Sequence, residues 1–164
     1  MKLAKVFKEN KQFTLFSILA LVVVGVAVFA PQIAPYDPLD AVMLESLQAP
    51  SSAHPFGTDK LGRDLLSRVI FGTRTSLIMT LCLVAVIFVI GTFLGVIAGY
   101  FGGIVDGVIM RIADMMISFP GLVLAIAIAG MLGPNLVNAV ISIAAVSWTK
   151  YARLARSMVL RVKK

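Results

Sequence analysis

The sequence predicts an all-α polytopic membrane protein with about four transmembrane helices and a short extracytoplasmic amphipathic helix. Hydrophobic residues make up 59% of the 164 residues and charged residues only 14%, which is too few to cover a soluble domain. Apolar side chains in such excess need lipid as their solvent. The long uncharged runs are separated by turns that contain proline and glycine, as expected between successive spans.

Positive charge collects at the two ends of the chain. Residues 1–12 carry a net charge of +3 and residues 149–164 one of +6, whereas residues 31–76 and 77–148 each carry −1. Bases gathered beside apolar runs follow the positive-inside rule and predict that both termini are cytoplasmic. Four spans, an even number, agree with that orientation. The same distribution argues against nucleic-acid binding, which needs a basic surface along a groove.

Residues 1–12 form the predicted cytoplasmic N-terminus and residues 13–30 the first transmembrane helix. The uncharged run from Phe13 to Ala30 is 18 residues long, about 27 Å as a helix. A basic stretch before an apolar core also fits a cleaved signal peptide. The length of the run, and Pro31 directly after Ala30, favour a retained span.

Residues 31–76 are predicted to form an extracytoplasmic loop that ends in an amphipathic helix. Five prolines between residues 31 and 55 exclude a continuous helix or strand there. Between residues 58 and 72, aliphatic side chains recur at helical spacing with charged residues between them. This pattern predicts a short helix that lies along the membrane surface.

The second span is the clearest, with 23 uncharged residues from Leu77 to Gly99. Gly91, Gly95 and Gly99 fall four residues apart, so they share one helix face. A face without side-chain bulk lets the backbone of another helix come close. The alternative is that glycine is simply common in membrane helices, but the strict register favours a packing face.

The third and fourth apolar runs are short for a full crossing. They reach about 16–17 residues if the third begins near Ile117 and the fourth ends near Tyr151. Pro120 interrupts the third run, and a re-entrant hairpin is the alternative to two crossings. Trp148 and Tyr151 are predicted to anchor the end of the fourth span at the interface.

Three ionisable residues precede the third run. Asp106 and Asp114 could face a polar path, because ionisable groups within membrane segments are expensive to bury and commonly functional. Arg111 lies three residues before Asp114, close enough on a helix to pair with it. The sequence therefore favours a structural ion pair at the cytoplasmic interface over a polar path.

No catalytic, cofactor or metal site is predicted. Residues 57–64 have the glycine spacing of a phosphate-binding loop, but Arg-Asp replaces the terminal Lys-Ser/Thr. His54 has no cysteine, histidine or carboxylate at metal-ligand spacing. Cys82 is expected to be a small buried hydrophobe, and a single cysteine leaves the redox compartment open.

Several stretches of the chain follow one recognisable pattern. They are His54-Pro-Phe-Gly-Thr-Asp-Lys-Leu-Gly-Arg-Asp-Leu-Leu-Ser-Arg68, Gly72-Thr-Arg-Thr-Ser-Leu77, Gly99-Tyr-Phe-Gly-Gly103, Met110-Arg-Ile-Ala-Asp114, Phe119-Pro120, Leu132-Gly-Pro-Asn135 and Trp148-Thr-Lys-Tyr-Ala-Arg-Leu-Ala-Arg156. These motifs resemble those of the membrane permease subunits of ABC importers for dipeptides, oligopeptides and nickel. The motif positions singled out by this resemblance are Gly57, Asp59, Gly62, Arg63, Asp64, Arg74, Arg111, Asp114 and Pro120.

The resemblance implies a cell-membrane permease subunit that forms part of a translocation path for di/oligopeptides or nickel. It also implies a second permease subunit, two ATPase subunits that hydrolyse ATP, and an extracytoplasmic solute-binding protein as partners. Residues 77–164 would then be an incomplete part of a six-helix permease domain, ending before the Glu-Ala-Ala loop that docks on the ATPase. The alternative is a truncated, non-transporting membrane protein that acts only as an assembly or scaffold partner.

Overall fold

A computed structural model describes residues 10–163, and across them the chain forms helices and loops without a named strand. The chain divides into two compact units, one up to Ile78 and the other from Met79. The predicted all-α class is confirmed.

The first helix, α1, covers Lys11–Val28 and is followed directly by a single turn, α2, over Ala30–Ile33. Pro31 lies in the first turn of α2, where its missing N–H costs no hydrogen bond. With 18 residues, α1 is long and apolar enough to cross a membrane. Its bounds differ by two residues at each end from those expected for the first span.

The third helix, α3, is a continuous helix of 37 residues over Leu65–Phe101. At 1.5 Å per residue it is about 55 Å long, well beyond the hydrocarbon thickness of a bilayer. The separate surface helix expected at residues 58–72 is therefore not observed. Residues 58–64 lie in a loop, and the amphipathic residues from Leu65 onward are the first turns of α3 itself, since no helix breaker separates them from the apolar run.

After α3 the chain turns at Gly102 and Gly103, which have φ values of +65° and +51°, a region that glycine enters without strain. Helix α4 then covers Gly103–Ser118 and α5 covers Gly121–Leu132. The axes of α4 and α5 differ in direction by 93° at Phe119-Pro120. Proline cannot donate the hydrogen bond that would continue α4, so the interruption predicted at Pro120 has a direct cause.

The last helix, α6, covers Leu136–Val162. Its first turn is capped by Asn135, whose side-chain oxygen accepts a hydrogen bond of 2.9 Å from the Val137 backbone N–H. The Asn138 amide donates to the carbonyl oxygen of Leu132 at 2.8 Å, which closes the turn between α5 and α6.

Within residues 10–163, two helices meet the length and composition of a membrane span, namely α1 and α3, and the bent pair α4–α5 is a third if it is one broken span. Helix α6 is long, but its second half carries the basic residues of the C-terminal region. The number of four spans therefore stays a prediction, as does the choice between a broken span and a re-entrant loop.

The glycine face of α3 packs directly on α6. A Cβ atom built on Gly91 would lie 2.6 Å from the Cβ of Tyr151, and one on Gly99 would lie 2.8 Å from the Cβ of Val159. At Gly95, an added Cβ would overlap the carbonyl oxygen of Ala152. The backbones of α3 and α6 can come this close only because α3 has no side chains at these three positions.

Large apolar side chains remain exposed along the candidate spans, including Phe16, Leu21, Leu81 and Phe93. Exposed apolar residues in such number are expected on a surface that faces lipid. Cys82 is exposed as well, so the expectation that it is buried was wrong. The residue lies in an apolar run, but on a side of α3 that no other helix of the described chain covers.

We predict that Gly95→Ala destabilises the helical unit by about 1–3 kcal/mol, because the added methyl group forces α3 and α6 apart. Gly107→Ala is the matched control, since it lies in α4 with no heavy atom within 4 Å of its added Cβ. Thermal unfolding of both variants in the same detergent measures the difference. Equal melting temperatures would show that the contact is loose.

Candidate functional site

The loop between α2 and α3 is organised around His54, a residue that is only 6% exposed. Its Nδ1 atom lies 3.0 Å from Oδ1 of Asp64, and its Nε2 atom lies 3.4 Å from Oε2 of Glu45. The ring of Tyr36 is tilted against the imidazole, with centroids 4.9 Å apart. His54 therefore has carboxylate neighbours that its isolation in the sequence did not indicate, because the folded loop brings residues 45 and 64 to it.

Asp64 joins this loop to the start of α3. Its Oδ2 atom accepts a hydrogen bond of 2.7 Å from the Ser67 backbone N–H, which caps the helix. Ser67 Oγ in turn accepts a hydrogen bond of 3.1 Å from the Tyr36 backbone N–H. Burial raises the pKa of Asp64, but hydrogen bonds from Ser67 and His54 outweigh it, so the pKa lies below its usual value.

Asp59 forms a second centre in the same loop. Its carboxylate accepts from Nη2 and Nε of Arg63 at 2.7 and 2.9 Å, from the Leu61 backbone N–H at 2.8 Å, and from Arg68. The hydrogen bonds from Arg63 hold the pKa of Asp59 well below its usual range, against the smaller opposing effect of burial. Both Arg63 nitrogens donate to Oδ2 of Asp59, while Oδ1 accepts from the backbone N–H groups of Leu61 and Arg63.

Gly57 and Gly62 allow the loop to close. Both have a φ of +74°, and a Cβ atom at Gly62 would overlap the carbonyl oxygen of Val42. A side chain at either position would meet both the strain of a left-handed backbone and a neighbouring chain segment. Five of the motif residues, namely Gly57, Asp59, Gly62, Arg63 and Asp64, thus lie in one hydrogen-bonded loop.

The other motif residues lie elsewhere. Arg74 is exposed on α3, and Arg111 is exposed on α4. Neither forms an ion pair within residues 10–163. Pro120 lies at the bend between α4 and α5. The sequence motifs therefore do not converge on a single site.

The carboxylates of α4 pair with α6. Asp106 accepts from Nε and Nη2 of Arg156, both at 2.5 Å, and Asp114 accepts from Nη2 of Arg153. The expected pair between Arg111 and Asp114 was wrong. An i,i+3 pair on one helix is worth only a few tenths of a kcal/mol, so a base on a neighbouring helix readily replaces it.

Sequence reasoning missed Arg153 and Arg156 as partners because their position opposite α4 depends on how the two helices pack. Nearby, Lys163 Nζ donates to the Tyr100 carbonyl oxygen at 2.6 Å and lies 5.6 Å above the Tyr100 ring. Arg153 and Arg156 of α6, with Lys163 directly after it, therefore hold the C-terminal half of this helix against α3 and α4.

A cavity of about 370 Å³ opens at the bend between α4 and α5. Apolar side chains from α4, α5 and α6 line most of it, including Phe119, Leu122, Ile143 and Val146, and Lys150 stands at its edge. Such a lining can accommodate a ligand or another helix. Within the described part of the chain, no three His, Cys, Asp or Glu side chains are grouped as metal ligands would be.

The fold and these sites define a class of protein, a helical integral membrane protein whose helices associate through small residues and interhelical ion pairs. Comparison with known families identifies it further. Residues 91–164 match the binding-protein-dependent transport system inner membrane component, and residues 2–50 match the N-terminal transmembrane domain of oligopeptide transport permease C. The chain belongs to this family of ABC importer permeases.

Individual relatives agree with this assignment. The chain is 41% identical to a probable D,D-dipeptide transport system permease protein of Escherichia coli, over 99% of this chain and 54% of the relative. It is 42% identical to a glutathione transport system permease protein of Pectobacterium atrosepticum, over 87% of this chain and 48% of the relative. A nickel transport system permease protein of E. coli is 40% identical over 79% of this chain and 47% of the relative. The chain spans about half the length of these curated relatives.

We predict that the loop keeps a constant stability at neutral pH and loses it as the pH falls below about 4. The folded pKa values of Asp59 and Asp64 lie below the ordinary value of 3.8, so their contribution is complete above that value and disappears as they become protonated. Hydrogen–deuterium exchange of residues 45–67, corrected for the intrinsic rate, measures this change.

The double variant Asp59→Asn, Asp64→Asn provides the comparison for this prediction. It should show weaker protection at pH 7 and a much smaller loss below pH 4 than the unsubstituted protein. Asp37→Asn is the control, because Asp37 is exposed and its side chain accepts only a local hydrogen bond from Leu39. An identical acid dependence in all three proteins would contradict the role given to Asp59 and Asp64.

Proposed function

We propose that this chain is the membrane permease subunit of an ABC importer and forms part of the path by which di/oligopeptides or nickel cross the membrane. The observation that carries the proposal is the similarity over 99% of the chain to a dipeptide permease at 41% identity. The structure is compatible with this role, because packed helices with a cavity at a bend can form a pathway.

The energy for import comes from other subunits in this proposal. The segment that resembles a phosphate-binding loop, residues 57–64, uses several of its polar groups internally. Asp59 is bound by Arg63 and Arg68, and Asp64 by Ser67 and His54. The segment also has Arg63-Asp64 in place of the terminal Lys-Ser/Thr with which a phosphate loop holds a nucleotide and magnesium. Two ATPase subunits and a second permease subunit are therefore the proposed partners.

We further propose that the N-terminus is cytoplasmic and that the loop between α2 and α3 faces outward, toward a solute-binding protein. The charge distribution supports this orientation, since the basic residues are concentrated at the two ends of the chain. The loop carries exposed apolar side chains at Leu39, Met43 and Leu44, on a framework fixed by hydrogen bonds. A rigid loop with apolar groups on its surface suits contact with a protein that delivers the substrate.

Uptake assays test the proposed function and its substrate class together. We expect that deleting the gene abolishes uptake of either a radiolabelled dipeptide or radiolabelled nickel. A plasmid that carries the same gene should restore this uptake. ATPase subunits should co-purify with the tagged protein in mild detergent. Unchanged uptake of both substrates in the deletion strain, together with no associated ATPase, would refute the proposal.

A further inference from the structure

The basic residues from Lys150 onward divide into two groups by their contacts. Arg153, Arg156 and Lys163 contact α4 or the end of α3. Lys150 and Arg161 are exposed and form no ion pair within residues 10–163. The cluster that looks like a uniform basic tail in the sequence therefore contains three bases with specific structural partners.

The two ion pairs between α4 and α6 differ in exposure and in geometry. The Asp106 and Arg156 side chains are 18% and 34% exposed, and two parallel N–H···O bonds join them. The Asp114 and Arg153 side chains are 55% and 46% exposed, and one bond joins them. Exposed pairs contribute little to stability, whereas bidentate, partly buried pairs are stronger and directional.

The glycine face adds a second constraint at the same place. A Cβ atom on Gly99 would lie 3.1 Å from the carbonyl oxygen of Arg156. The residue that pairs with Asp106 therefore also lies against the close contact between α3 and α6. Movement of α6 at this point would have to break the ion pair and separate the packed backbones together.

Helix α5 packs against its neighbours without an ion pair. Gly121–Leu132 contains no charged residue, and its start is separated from α4 by the 93° bend. The cavity lined by Phe119, Leu122 and Val146 lies where α5 meets α6. Apolar contacts have no fixed direction, so α5 can shift along α6 without breaking a directional bond such as the ion pair between α4 and α6.

We propose that Asp106 and Arg156 are positioning residues for transport: they hold α4 and α6 as one block, against which α5 moves at the Phe119-Pro120 bend. This inference rests on the proposed permease function. If the block loosens, energy from ATP hydrolysis is spent without the matching movement of α5. The distinctive consequence of breaking the pair is uncoupled hydrolysis and not loss of the assembled transporter.

The test makes three separate variants in the chromosomal gene of the native importer: Asp106→Asn, Arg156→Gln and the exchanged pair D106R/R156D. Substrate transported per ATP hydrolysed is measured in membrane vesicles, and the associated ATPase subunits are quantified. We expect each single substitution to lower this ratio at least tenfold with the subunits retained, and the exchanged pair to recover it to within about threefold of the unsubstituted protein. D114N/R153Q is the control, since it removes the exposed pair, and it should stay within about twofold.

Three results would overturn the inference. They are an unchanged ratio in the single variants, no recovery in the exchanged pair, or a fall in transport that merely follows loss of associated subunits. Failure of the underlying function is separate, because the unsubstituted importer would then transport neither dipeptide nor nickel. Spin labels on exposed positions of α4 and α6 follow the helix separation directly, and the single variants should broaden that distance distribution even in a chain without transport.

Discussion

The close approach of α3 to α6 is the contact on which the rest of the helical unit depends. Within a bilayer there is no hydrophobic gain from bringing helices together, because lipid is as apolar as the side chains. Association relies instead on close packing and polar contacts. Gly91, Gly95 and Gly99 bring the two backbones together and so place Arg153, Arg156 and Lys163 where Asp114, Asp106 and the Tyr100 carbonyl oxygen can accept from them.

The loop between α2 and α3 has almost no secondary structure, so its backbone polar groups need hydrogen-bond partners other than those of a helix or sheet. The carboxylates of Asp59 and Asp64 accept from backbone N–H groups of Leu61, Arg63 and Ser67. The two glycines with positive φ allow the chain to fold tightly enough to reach those side chains. In the sequence, the charged residues of this segment resemble a nucleotide-binding motif. In the structure, they form ion pairs and hydrogen bonds within the loop. The motif therefore describes how the loop folds and does not indicate nucleotide binding.

The fold class followed from composition and from the lengths of the apolar runs, since neither depends on tertiary contacts. The glycine register of α3 pointed to the face that α6 covers, because three glycines at helical spacing have one steric consequence. The break at Pro120 could also be predicted, because it depends on the proline itself and not on tertiary contacts. The partners of Asp106, Asp114 and His54 could not be predicted, since each depends on chain segments that only the folded structure brings together. The start of α3 was also misjudged, because an amphipathic first turn and an apolar span form one helix when no residue interrupts them.

The most direct measurement of the central claim is the distance between α3 and α6 in native membranes. The Phe88 and Tyr151 ring centroids lie 6.1 Å apart in an edge-to-face arrangement on these two helices. In a Cys82→Ser background, Phe88→Cys with Tyr151→Cys should therefore be joined efficiently by a short thiol crosslinker. Phe88→Cys with Lys150→Cys should not, because Lys150 is about 100° from Tyr151 around α6 and lines the cavity with residues of α4 and α5. Equal crosslinking of the two pairs, or none in either, would contradict the packing of α6 on the glycine face of α3.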